Sequence, residues 1–285
     1  DMLFEENFMD GQLGRSITWP HNWYMTGPDY SVGRHNQTIR NNIFGDTYMD
    51  KLKMKGDASY VKIYGNLFLG SGGNAFLVDH ERCTSIIPQQ NFNSEFYDNV
   101  YLSNSKDQSG VIGLLRFSSA QDAKVENNIF SNSQEDGKGA VIKIIKEDCD
   151  NLLPIHGIRN LNFTNNIIKD VSSQALSFSL GNNHLEGEVE RVVFQNNTIQ
   201  YSELGKKIAG FSAISDMRTE TVSFVDNTYY VEGSLDSMEG AFSIGEMFDV
   251  VDDPANTRSY FKVQPKISSK LDQVWNRTDV NLVFI

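Results

Sequence analysis

Apolar and polar residues alternate over short stretches of this chain, and each stretch runs into an asparagine. Eight asparagines carry an apolar residue three positions before and another two positions after: Asn7, Asn42, Asn66, Asn99, Asn128, Asn166, Asn197 and Asn227. The preceding residues are Phe4, Ile39, Ile63, Phe96, Val125, Phe163, Phe194 and Phe224. The following ones are Met9, Phe44, Phe68, Tyr101, Phe130, Ile168, Ile199 and Tyr229. Position −5 is often apolar too, as at Met2, Val61, Leu161, Val192 and Val222. Alternation with a period of two predicts a strand with one buried face. The asparagine is expected at a bend, because it tolerates left-handed backbone angles and its side chain bonds nearby backbone. The +2 residue then opens a second strand. Neighbouring asparagines lie 24 to 38 residues apart. A repeat of about 30 residues without helix signatures means a solenoid.

A third strand follows each pair after a loop of variable length. It reads NWYMT (22–26), DKLKMKG (50–56), NAFLVDH (74–80), GVIGLLRF (110–117), AVIKIIK (140–146), QALSFSL (174–180), AGFSAIS (209–215) and GAFSIGE (240–246). Three strands per turn, parallel between turns, predict an all-β parallel β-helix over residues 1–246, with about eight coils of three strands. Its asparagines would stack into an internal hydrogen-bonded ladder. The Leu-x-x-Leu-x-Leu spacing of a leucine-rich repeat is missing. Residues 247–285 lack an asparagine in register. They are expected to form a C-terminal capping segment, with Phe248, Tyr260, Phe261 and Trp275 over the open core.

The strand-and-asparagine stretches YVKIYGNLF and LNFTNNII follow a V-x-I-x-x-N pattern. In this the chain resembles the right-handed, single-stranded parallel β-helix proteins of the pectin-lyase-like superfamily. The resemblance covers about residues 1–246. It implies that fold and a carbohydrate-active role, and it is far less specific for a reaction.

Composition narrows the partners. The 285 residues carry a net charge of −12. That argues against nucleic acid, whose phosphates need a basic surface. It leaves room for an acidic polysaccharide in a locally basic cleft. No apolar run is long enough to span a membrane, so no membrane insertion is expected. No signal peptide is visible, and Asp1 falls inside a repeat, as in a mature form or an excised piece. An extracellular or cell-surface location is the expectation. Cys83 and Cys149 sit two coils apart, about 10 Å. A disulfide needs Cα atoms within about 7 Å, so free thiols are expected. Asn-x-Ser/Thr sequons occur at Asn36, Asn162, Asn196 and Asn276.

A β-helix fills its interior with side chains, so chemistry belongs on the outward residues of one sheet. The third strand is the candidate, because the loops beside it vary most. In DKLKMKG, Leu52 and Met54 are expected inward and Lys51, Lys53 and Lys55 outward in a row. Aligning Met25 with Met54 puts Tyr24 on the same face; aligning Val78 with Met54 puts Asp79 there. Arg116 and Lys143 extend the face in later coils. His21, Trp19, Trp23 and Arg82 lie close in sequence. Aromatic rings stack on sugar faces, and lysines pair with carboxylates or sulfates.

These residues suit β-elimination or C5-epimerisation of a uronate polymer. A cation must neutralise the carboxylate, a base must take the C5 proton, and an acid must protonate the leaving oxygen or the opposite face. Lys53 or Lys55 supplies the cation or the base, since neighbouring cations favour a neutral lysine. His21 is the alternative base and Tyr24 the acid. PHNWYM followed by DKLKMKG resembles a His-Asn-x-Tyr segment set one coil before a lysine strand, as many β-helix proteins of this kind carry. Trp19, Trp23, Lys51, Asp79, Arg82, Arg116 and Lys143 would hold substrate. No cofactor is demanded; calcium, if used, would fall to Asp50, Asp79 and Glu81, whose hard oxygens suit it. VDHE (78–81) is similar to the Asp-His pair of pectate lyases, but lacks the preceding tryptophan. Asp50 and Asp79 also keep a glycoside hydrolase open, since an inverting enzyme sets its carboxyls about 6.5–9.5 Å apart. A non-catalytic cell-surface, adhesion or fibre β-helix explains the acidic surface and weak motifs equally. In that case outward lysines merely keep strands soluble.

Overall fold

A computed structural model describes residues 2–10, 23–25, 36–45, 47, 50–55, 60–70, 76–81, 93–103, 113–118, 120–132, 140–145, 158–171, 174–179, 189–201, 207–212, 222–230, 242–244 and 266–268. Among these residues the chain is all strand, with no helix, and its strands form three parallel sheets that build a β-solenoid. The first sheet holds eight strands, from Met2–Glu5 to Val222–Val225, each leading into a repeat asparagine. The second holds nine, beginning just past the asparagines at Phe8–Met9. Its ninth strand, Lys266–Ser268, pairs with Thr228–Tyr230 and brings part of the C-terminal segment onto the stack. The third sheet holds eight strands: Trp23–Met25, Leu52–Lys55, Phe76–Glu81, Gly113–Ser118, Ala140–Ile145, Gln174–Ser179, Lys207–Ser212 and Phe242–Ile244.

Register aligns the repeat in space. Phe4 pairs with Ile39, Ile39 with Ile63 and Phe96 with Val125, so the −3 residues form one column facing inward. Ile39, Ile63, Phe96, Val125, Phe163, Phe194 and Phe224 are all buried. The +2 residues form a second inward column. There Phe44, Phe68, Tyr101 and Phe130 stack ring on ring at 4.6, 4.9 and 4.6 Å. Phe163, Phe194 and Phe224 stack in the same way in the first sheet, at 4.4 and 5.1 Å. Offset ring pairs add to the burial that already favours the fold.

The asparagines form the expected ladder. Asn128 Nδ2 donates to Asn166 Oδ1 at 3.0 Å and to the carbonyl of Phe96 at 2.9 Å, and the Asn128 backbone N–H also reaches Asn166 Oδ1. The same bonds recur from Asn42 to Asn197, so each buried amide is partnered by the next one. The bend itself is made one residue earlier than expected. Glu6, Asn41, Gly65, Asp98, Asn127, Asn165, Asn196 and Asp226 have φ between 52° and 63°, whereas none of the ladder asparagines does. The ladder side chain must point inward to reach its copies, so the left-handed turn falls to its exposed neighbour.

Gly65 shows how tight that corner is. It has φ +63°, and a Cβ there would sit 2.6 Å from Asn41 Oδ1.

Candidate functional site

The third sheet gathers five of the predicted residues into one line. Tyr24 pairs with Lys53, Lys53 with Asp79, Asp79 with Arg116 and Arg116 with Lys143. Adjacent strands lie about 4.8 Å apart, so the line spans roughly 19 Å. It continues through Ser177, Gly210 and Ser243. Leu52, Met54, Leu115, Phe117, Ile142 and Ile144, on either side of the line, are buried in the core. Period-two alternation therefore turns Lys53, Arg116 and Lys143 outward, and each is half-buried. Leu114, Val141 and Ala175 are fully buried as well, although alternation sets them on the outward side. This part of the sheet is covered on both faces, as parallel strands commonly are. The cations thus sit beside an enclosed apolar strip rather than on an open plane.

Several placements differ from those expected. Lys51 is not exposed on an open face: it is 2% exposed, and Asp50 beside it is also 2% exposed. Both precede the strand Leu52–Lys55, so its in-and-out alternation does not extend to them. Two opposite charges are buried side by side, and buried charge is costly unless paired. The Asp50 carboxylate lies 3.7 Å from Lys53 Nζ, whose side chain is 15% exposed. Lys53 is therefore held against a buried anion rather than reaching freely into solvent. The register of the next strand also shifts. Val78 pairs with Leu52, and His80 takes the position opposite Met54. Asp79 consequently stands opposite Lys53, and Glu81 opposite Lys55, so that each acidic position has a lysine position next to it. Trp23 occupies the register position of Leu52, in the column of core residues rather than in the column of Lys53. His21, Trp19 and Arg82 lie outside the described residues, as do Cys83 and Cys149.

A calcium site from Asp50, Asp79 and Glu81 would need three carboxylates on one surface. Asp50 is buried, and Asp79 and Glu81 occupy the register positions opposite Lys53 and Lys55. Among the described residues no group of three His, Cys, Asp or Glu side chains could hold a metal ion. No helix among them is long and apolar enough to cross a membrane.

The outer face of the first sheet carries a second feature that the apolar pattern did not reveal. Glu5, Arg40, Tyr64, Tyr97 and Glu126 fall in one column. Arg40 bonds the Glu5 carboxylate through Nε and donates from Nη1 to the Tyr64 hydroxyl at 3.1 Å. These bonds, to Tyr64 first and Glu5 second, raise the arginine above its ordinary pKa. The Tyr64 and Tyr97 rings stack at 4.6 Å. Burial, and then Tyr64, Glu95 and Asp98, push the Tyr97 phenol up. In the neighbouring column Glu95 lies between Lys62, at 3.3 Å, and Lys124, at 3.8 Å. A groove of about 780 Å³ opens over the first four strands of this sheet. Positions −4 and −2 of successive repeats, read against one another, contain this column; the apolar positions alone do not.

No family model, curated protein or solved structure matches the chain.

Proposed function

We propose that the outer face of the third sheet binds an acidic, uronate-containing polysaccharide, on a right-handed β-helix of the pectin-lyase-like kind with about eight coils. The observation that supports this is the register line Tyr24–Lys53–Asp79–Arg116–Lys143. Three cationic positions and a phenol lie along one direction, with the acidic position of Asp79 between Lys53 and Arg116. A polymer that carries a carboxylate on each sugar is matched by cations repeated along its length. The acidic balance of the whole protein makes this line a local exception rather than part of a basic surface. An extracellular or cell-surface location accords with such a substrate.

The reaction class that fits these residues is β-elimination, with C5-epimerisation sharing its first step. A cation pairs with the uronate carboxylate and makes the C5 proton acidic. A base takes that proton, the C5 electron pair forms the C4–C5 double bond, and the C4–O bond breaks. The departing oxygen takes a proton from an acid, for which Tyr24 is the candidate. Lys53, the cation nearest Tyr24 along the line, is assigned to carboxylate neutralisation, with Arg116 and Lys143 as further anchors. In epimerisation the C5–H bond breaks on one face and a proton is added to the opposite face of C5, while the C4–O bond stays intact. A non-catalytic glycan-binding surface would use the same cations.

The test is ultraviolet absorbance of unsaturated uronates after adding the protein to alginate, pectate, ulvan and glycosaminoglycans, with and without calcium. A rise that Lys53→Ala reduces at least a hundredfold is the expected result for elimination. Calorimetric binding of the same polymers without absorbance would assign recognition or epimerisation instead. Neither binding nor absorbance with any of these polymers would overturn the reading.

A further inference from the structure

We propose that the groove on the outer face of the first sheet binds a neutral oligosaccharide, independently of the third sheet. It is lined by Leu3, Thr38, Lys62 and Glu95 in one column, Arg40 and Tyr64 in the next, and Asn36, Tyr60 and Asn93 at the strand starts. Its floor crosses four strands, Met2–Glu5, Gln37–Arg40, Val61–Tyr64 and Ser94–Tyr97. Three strand spacings make it about 14 Å long, enough for several linked sugar rings.

The lining selects the ligand class. Leu3 is 53% exposed and Tyr60 43% exposed, two of the three large apolar side chains found exposed among the described residues. Around them stand the amides of Asn36 and Asn93 and the hydroxyl of Thr38. An apolar surface with a few convergent polar groups is the usual make-up of a small-molecule site. A pyranose presents the matching surface, with one C–H face for a ring and hydroxyls around its edge. The charges nearby balance in number: Arg40 is engaged by Glu5 and Tyr64, Lys62 and Lys124 flank Glu95, and Glu126 completes the face beside Tyr97. Three cations against three carboxylates leave no net charge here to draw a polyanion.

Tyr60 gives a second, independent reason. The residue six positions before the ladder asparagine turns left-handed at Asn36, Tyr60, Asp122, Asn160 and Arg191, with φ between 49° and 57°. Asn and Asp adopt that conformation readily, whereas a tyrosine there is strained. Tyr60 keeps φ +57° and half-exposes its ring into the groove. A strained residue kept at a groove mouth points to a role for its side chain. The strain also gives a clean variant. Tyr60→Asn installs the residue that the same corner uses at Asn36 and Asn160, so it removes the ring and relieves the backbone at once.

The experiment is isothermal titration calorimetry of the full chain with cellohexaose, xylohexaose, mannohexaose and oligogalacturonate, on wild type and Tyr60→Asn, beside thermal unfolding of both. One neutral hexasaccharide should bind the wild type. Tyr60→Asn should weaken it at least tenfold while its unfolding midpoint stays equal or rises. Absence of neutral-sugar binding at millimolar concentration would overturn the proposal, as would unchanged affinity in Tyr60→Asn. Loss of oligogalacturonate binding in that variant would reassign the groove to the acidic polymer. Self-association of the wild type that Tyr60→Asn abolishes would reassign it to a second copy of this chain. The ultraviolet assay on uronates reads the third sheet separately, so either site can fail without the other.

Discussion

At the corner between the first and second sheets every turn of the chain repeats one asparagine. Across the outer face of the third sheet the aligned positions change from strand to strand, through Tyr24, Lys53, Asp79, Arg116, Lys143, Ser177, Gly210 and Ser243. The two regions share the same strand spacing and the same parallel register. They differ in what surrounds the side chain. A buried amide must have its donors and acceptors met, and in this stack the partner above it is the same amide. Identity at that corner is therefore enforced by geometry. On the outer face the surroundings differ from turn to turn and no copy of the same group has to be met, so residue type is free to vary. That the charged and phenolic positions occupy the first five strands, and small residues the rest, is for that reason informative: the fold does not require it.

The sharpest way to break the comparison is to truncate one residue in each region. Asn128→Ala strips the hydrogen bonds that Asn99 donates to Asn128 Oδ1 and those that Asn128 donates to Phe96 and Asn166. Each buried group left alone costs about 1–3 kcal/mol, so a loss of about 3–5 kcal/mol is expected. Lys143→Ala on the outer face should cost about 1 kcal/mol or less. Chemical denaturation of both variants measures the contrast; similar losses would mean that the ladder is no more than a surface feature. Gly65→Ala comes next. A left-handed alanine costs about 1–2 kcal/mol, and Asn41 must move away from the new Cβ as well. An unchanged denaturation midpoint in Gly65→Ala would show that this corner relaxes freely.

The same contrast explains what was legible in the sequence. Apolar residues at −3 and +2 located the strands of the first two sheets, because each apolar column has no solvent-exposed alternative. Leu52, Met54, Leu115 and Ile142 located the third sheet for the same reason. The left-handed residue was misplaced by one position, since Asn at the ladder and Asn, Asp or Gly before it are equally good turn formers; only the inward aim of the ladder amide decides between them. Lys51 was read as outward because alternation was carried past the start of its strand. The shift of Val78 from Met54 to Leu52 escaped notice because a slip of two residues leaves inward and outward faces unchanged. The first-sheet groove was missed because its residues are polar positions that acquire meaning only when Arg40, Tyr64 and Tyr97 are brought side by side.

The smallest expected effect lies inside the ring stack and has the opposite sign. Tyr101 stands where Phe44, Phe68 and Phe130 stand in neighbouring turns, fully buried. Its hydroxyl has no hydrogen-bond partner among the described residues. Burial alone pushes this phenol far above its ordinary range. Tyr101→Phe keeps the ring in the stack and removes the unmet group, so it should stabilise the protein by about 1 kcal/mol. The pH dependence has a fixed sign. A phenol whose pKa is raised by folding contributes most below its unfolded value of about 10. That contribution falls as pH rises past 10 and the unfolded chain releases the proton. Tyr101→Phe should therefore lose less stability than the wild type between pH 9 and 11. Thermal midpoints across that range decide it; a variant less stable than the wild type at neutral pH would show that the hydroxyl has a partner after all.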